Sequence, residues 1–138
     1  MISIIENLSG KKNMVLTEVK FEANDYKNYP ENVVLNGTDE IKINAIQKDR
    51  VCYSISRTIN SPENNFVSFY VSFDVELFFA NPYESDGFIS TDEMLKIIKE
   101  KQNVFDCGCA ARSSLIIAQI SSQLTENTPI ISPANLMI

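Results

Sequence analysis

The chain has 138 residues and a mass of 15.6 kDa, with 12 Lys and Arg against 18 Asp and Glu and no histidine. That length suits one domain, residues 1–138, with a real core, and not two independent ones. A net charge of −6 argues against a nucleic-acid partner, because neutralising phosphate needs a basic surface, and the missing histidine removes Ser-His-Asp and Cys-His nucleophile pairs and every His-dependent metal site.

With 44% hydrophobic and 22% charged residues the composition is globular, not disordered. The N-terminus, Met1-Ile2-Ser3-Ile4-Ile5-Glu6, has no basic region, and Glu6 ends the apolar run early, so it does not read as a signal peptide. No stretch approaches the ~18 consecutive apolar residues of a membrane span. Three cysteines, an odd count, fit a reducing compartment. The expected location is the cytoplasm, without membrane insertion.

Residues 1–14 give weak signals and are expected to form a frayed, flexible arm. Val15 to Glu22 then alternates: Val15, Thr17, Val19 and Phe21 fall on one face, Glu18, Lys20 and Glu22 on the other. That is the period of a half-buried strand. Residues 23–40 are rich in Asn, Asp, Pro and Gly and longer than a hairpin needs, so they are expected to cross over the sheet. Alternation resumes over residues 41–46. After a short turn at residues 47–50, Val51, Tyr53, Ile55 and Ile59 face one way.

Residues 60–65 read as a hairpin loop. The row Val67, Phe69, Val71, Phe73, Val75, Leu77 and Phe79 marks the clearest strand, long enough to bend or carry a bulge. The pattern predicts four antiparallel strands with one oily face and one wetter face.

Ser90-Thr91-Asp92-Glu93 is a capping-box start, and Met94, Ile97 and Ile98 fall at helical spacing, so a first helix runs to about Gln102. A second, longer helix is expected over residues 104–124. The tail from Thr128 is expected to be extended, held by Pro129 and Pro133. The predicted class is therefore α+β, a four-stranded antiparallel sheet with two C-terminal helices packed on one side.

From residue 104 to the end the only charged residues are Asp106, Arg112 and Glu126. A helix apolar nearly all round is either deeply buried or part of an interface. One copy with a four-stranded sheet has trouble hiding both that helix and an uncharged tail. Self-association resolves this, and leftover apolar surface would serve a ligand.

Chemical motifs are weak. Cys107-Gly108-Cys109 lacks the spacing of a redox pair and has no second ligand pair, so it reads as small packing residues whose side chains point about 200° apart on a helix. Asp74 and Glu76, like Glu18 and Glu22, share strand faces and read as a solvated or partner-binding acidic surface rather than acid–base pairs. The four glycines are isolated, so no phosphate loop is present. Neither a cofactor, a metal nor a catalytic residue is expected.

Three local patterns, in order, resemble the SecB family of export chaperones. Val19-Lys20-Phe21-Glu22-Ala23-Asn24 is similar to the family's S-F-E-A-P-N strand. Ala111-Arg112 stands at the place of its Y-A-R. Thr128-Pro129-Ile130-Ile131-Ser132-Pro133-Ala134-Asn135-Leu136 resembles its F-P-x-L-x-L-x-P-V-N-F segment. With the strand order the similarity spans roughly residues 15–138.

The resemblance implies a four-stranded antiparallel sheet with helices on one side, a dimer of dimers (a homotetramer), and ATP-independent holding of unfolded or precursor polypeptides. It places Tyr26, Tyr29, Ile41, Ile43, Leu115 and Leu124 near substrate. It also puts Glu18 and Glu22 where the family's acidic residues meet the translocation ATPase SecA. Two departures bear on SecA more than on the fold. The sequence ends soon after the Pro-x-Asn element, without the family's C-terminal extension, and residues 105–110 replace its C-P-x-x-L-F-P-Y run. A holdase also suits the composition, since net negative charge keeps a particle with open apolar strips in solution. The competing readings are a dedicated binding module for one partner, such as an antitoxin, and an enzyme using Cys107 or Cys109.

Overall fold

The computed structural model describes residues 3–23, 35–61, 67–124 and 130–138. Four strands form one antiparallel sheet: β1 (Leu8–Ala23), β2 (Asn36–Ile46), β3 (Arg50–Asn60) and β4 (Val67–Phe79). Their spatial order is β1-β4-β3-β2, the Greek-key order. β2, β3 and β4 meander, and β1 returns beside β4, so β1 and β2 hold opposite edges. The expected crossover of residues 23–40 lies largely outside the described residues, and β2 begins at Asn36 rather than at residue 41.

The apolar row of β4 is buried along its whole length, and Val51, Tyr53, Ile55 and Ile59 of β3 lie beside it. Helices cover this inner face. They are α1 (Thr91–Glu100), the single turn α2 (Gln102–Phe105) and α3 (Cys109–Leu124). Met94 and Ile98 of α1, Phe105 of α2 and Ile117 of α3 complete the core. Ser90 caps α1, its hydroxyl accepting the Glu93 N–H at 3.1 Å. The outer face carries Ser54, Ser56, Thr58, Ser68, Ser72, Asp74 and Glu76, and among the described residues no helix covers it. The α+β class with helices on one side is as expected.

Four local expectations need correction. The N-terminal arm is not frayed from residue 3 onward: Ile4 and Asn7 are buried, and β1 already begins at Leu8. Asn7 is tied to Asn81, donating to its carbonyl and accepting its N–H at 2.8 and 3.1 Å.

The expected faces of β1 are also wrong before Thr17. Leu16 pairs with Phe73 and Glu18 with Ser72, so Thr17 is an extra residue on β1. Its hydroxyl donates to the Ser72 carbonyl at 3.1 Å. This bulge reverses the parity: Val15 moves to the outer face with Glu18, Lys20 and Glu22, while Met14 and Leu16 join Val19 and Phe21 on the inner face. The irregularity anticipated for β4 thus sits on its partner, and a second one lies between Leu8 and Lys12, where Gly10 takes φ +85°.

The second helix is divided. Cys107 and Gly108 adopt φ of +56° and +80°, which ends α2 and re-aims the chain before α3 starts at Cys109. Cys107 is therefore outside any helix, and the helical argument about its direction does not apply.

The tail of residues 130–138 is extended but is held by side chains of the sheet and α3 rather than by its prolines. Ser114 donates to the Ser132 carbonyl at 2.6 Å, Ser121 accepts the Ile130 N–H at 2.8 Å, and a buried ion pair of Asp39 with Arg57 does the rest. Pro129 lies outside the described residues.

Candidate functional site

The site begins with what the helices leave open. α1 packs over β2, and α3 over β3 and β4. Among the described residues, the inner face of β1, at the sheet's edge, receives no comparable helix cover. Leu16 and Val19 point to the core side yet remain 45% and 39% exposed. Met14 and Phe21 flank them half-buried; Met14 Sδ lies 3.1 Å from Cys109 Sγ at the start of α3, and the Phe21 ring sits 4.7 Å from that of Phe69. Near the start of β1 a recess of about 350 Å³ is lined by Ile5, Leu8, Lys12, Leu77, Val104 and Cys107. Leaving Leu16 and Val19 half open forfeits roughly 1 kcal/mol each of the ~1.5–3 kcal/mol that full burial of such side chains yields. A partner covering the strip would recover it.

α3 adds a second apolar surface. Its buried residues, Cys109, Ala110, Ser113, Ile117 and Ser121, recur at three to four positions and face the sheet. Leu115 lies on the opposite side of the helix, 58% exposed, and Ile131 and Ile138 of the tail are exposed as well. The charge-poor last quarter therefore leaves Leu115, Ile131 and Ile138 exposed in a single copy.

The residues singled out in the sequence are not brought together. Ile41 is 7% exposed, in the core beside α1, and Ile43 is half-buried against the same cluster. Leu115 points away from the sheet and shares no groove with either. Leu124 is the last residue of α3. Tyr26 and Tyr29 lie outside the described residues. Glu18 and Glu22 do share the outer face, where Glu18 pairs with Lys20 at 3.0 Å.

Two carboxylates of the outer face accept hydrogen bonds from β3. Asp74 accepts a hydrogen bond from Ser54 at 2.7 Å. Glu76 accepts from Arg50 at 3.1 Å, and that bond holds its carboxyl below the usual carboxylate range, so it stays ionised at neutral pH. The thiols are the reverse case. Burial raises all three, Cys109 up to about 12, which leaves them protonated and poor nucleophiles.

Sequence reasoning missed the centre of the fold's polar chemistry. Arg57 occupies a core position of β3 between Ile55 and Ile59, 1% exposed. Its Nε and Nη2 donate to the two carboxylate oxygens of Asp39, directly opposite on β2, at 2.8 and 2.7 Å. Nη1 also reaches the Ala110 carbonyl, Ser132 Oγ and the Pro133 carbonyl, and Nη2 the Asn135 carbonyl. The signal was available: two opposite charges at core-parity positions of neighbouring strands.

No protein-family model matches the chain, and no curated protein does. Among solved structures it is similar to the Mycobacterium tuberculosis SecB-like chaperone Rv1957, solved in complex with a ChAD peptide from the HigA1 antitoxin. The TM-score is 0.63 at 12% identity, covering 88% of this chain and 83% of that one. It also aligns with a Streptococcus agalactiae protein of unknown function, at TM-score 0.44 and 7% identity, over 89% of this chain and 95% of that one. The four-stranded antiparallel sheet with helices on one side defines an α+β sheet-and-helix protein. Its architecture is the SecB-like fold. Among the described residues, no helix is long and apolar enough to cross a membrane.

Proposed function

We propose that this protein is an ATP-independent holdase that binds unfolded polypeptides along the inner face of β1. The observation that carries the reading is the uncovered strip of Leu16 and Val19 beside the helices. An extended client would lay apolar side chains on it with weak sequence preference, since the strip offers contact area and few fixed polar groups. Such a client loses conformational freedom on binding, so contact must be long, and β1 with its 16 residues provides length. The exposed Leu115, Ile131 and Ile138 support assembly of copies, with a dimer of dimers as the expected form. The reading assigns no catalytic step, places the protein in the cytoplasm and includes clients destined for export, with Glu18 and Glu22 as the surface for SecA.

The test is aggregation of an unrelated unfolding client at substoichiometric to equimolar protein. Suppression is expected, with light scattering giving a particle larger than one copy. No suppression at any ratio, or a strict monomer, defeats the reading. A second reading is a dedicated module for one partner such as an antitoxin. It is favoured by one observation, that the solved SecB-like neighbour holds an antitoxin peptide. A pull-down dominated by one species would select it.

A further inference from the structure

The polar contacts of the C-terminal tail have an unusual distribution. Arg57 donates to the carbonyls of Pro133 and Asn135, Ser114 to that of Ser132, and Ser121 accepts the Ile130 N–H. Asp39 Oδ2 accepts the Met137 N–H at 2.7 Å, and the Asp39 N–H donates to the Met137 carbonyl at 3.2 Å. All of these land on main-chain atoms of the tail. Among the described residues, the single side-chain bond is Arg57 to Ser132 Oγ at 3.1 Å.

Side-chain burial is correspondingly thin. Only Ser132 is buried; Ile130, Leu136 and Met137 pack partly against the core, Met137 over Gly37, whereas Ile131 is 72% exposed and Pro133, Ala134 and Asn135 are exposed. A cradle that reads backbone, one small residue and three partly buried apolar residues around it makes few demands on sequence. A buried ion pair contributes little net stability relative to apolar packing, so its presence here calls for another use. What Arg57 and Asp39 provide is a preset fork of donors beside an acceptor, spaced for an extended chain.

We propose that the cradle of Asp39, Arg57, Ser114 and Ser121 is a second polypeptide-binding site, separate from the β1 strip, for extended main chain. Residues 130–138 occupy it as a strap, and an extended segment of an unfolded client exchanges with that strap. The choice of a client as partner rests on the holdase reading; the cradle itself does not. Tethering makes the strap a strong internal competitor, with an effective concentration in the millimolar range.

The probe is a fluorescent peptide of residues 130–138, followed by anisotropy. A chain ending at residue 129 that keeps its far-UV circular dichroism should bind it at least tenfold more tightly than the full chain does. N-methylation of the peptide's Met137 amide, which removes the donor to Asp39, should weaken binding about tenfold. Should the shortened chain fail to fold, full-length Met137→Ala takes its place. That substitution loosens the strap without touching the cradle and should bind the peptide several-fold more tightly than the unaltered protein.

A folded shortened chain that ignores the peptide, an N-methylated peptide that binds equally well, or no gain from Met137→Ala overturns the site. Competition with reduced, carboxymethylated lactalbumin then tests the partner. Displacement of the peptide supports the client; no displacement overturns that assignment and leaves the cradle to this chain's own tail, including that of a second copy. The holdase reading is scored separately: peptide binding lost with aggregation suppression intact removes only this proposal, and suppression lost with peptide binding intact removes only the holdase.

Discussion

Arg57 and Asp39 meet through two bonds of 2.8 and 2.7 Å, each side chain 1% exposed, at directly opposed positions of β3 and β2. Removing one partner leaves the other charge buried without compensation. Asp39→Ala is expected to cost about 3–5 kcal/mol of stability in urea unfolding, and Arg57→Met a comparable amount. The double variant Asp39→Ala with Arg57→Met should be less destabilised than the sum of the single changes, because no bare charge remains. Strict additivity would show that the pair does not act as a unit.

How much of this was readable follows from which rules the chain obeys. The alternation of β3 and β4 was legible because a sheet covered on one face imposes a period of two, and the Ser90 cap because its chemistry is local. The Thr17 bulge was not. One extra residue on β1 reverses every side chain before it, and nothing in Val15-Leu16-Thr17-Glu18 distinguishes the bulged register from the regular one. Arg57 was passed over because its burial depends on Asp39 arriving opposite and on carbonyls from the tail, partners 18 to 78 residues away. The open strip on β1 was invisible for the same reason. Val19 reads as a core residue and Leu16 turns inward only through the bulge, and the placement of α3 over β3 and β4 leaves both half open.

The break between α2 and α3 rests on backbone conformation. Gly108 sits at φ +80°, and a Cβ built there meets no other atom within 4 Å. Any cost of Gly108→Ala therefore comes from the left-handed backbone alone. It should be about 1 kcal/mol in urea unfolding, with the fold otherwise retained. No loss would mean that the chain can reach α3 by another path.

Cys109 links stability to alkaline pH. Burial pushes its thiol up to about 12 from an ordinary value near 9, so the folded state favours the protonated form. A raised pKa contributes stability that is complete below the unfolded value and declines as pH rises towards the folded one. The urea midpoint should therefore fall between pH 9 and pH 12, and Cys109→Ala should fall less steeply over that window. Equal slopes for the two proteins would remove this role. In the native protein at pH 8, iodoacetamide should label Cys109 far more slowly than in urea.

The strip on β1 gives the sharpest separation of stability from function. Leu16 and Val19 are half open, so replacing both with Asp should cost roughly 2–3 kcal/mol of folding stability, short of unfolding the chain, and retained far-UV circular dichroism checks that the fold survives. The same change puts two carboxylates where a client would lay apolar side chains, and charges desolvated without partners oppose binding. Suppression of client aggregation should therefore fall at least tenfold in the protein concentration required. Lys42→Asp, on the exposed outer face of β2, adds a comparable change of charge and should leave suppression intact. If the Leu16 and Val19 variant holds clients as well as the unaltered chain, the binding surface is not the inner face of β1. If Lys42→Asp abolishes holding equally, net charge rather than the apolar strip governs the activity.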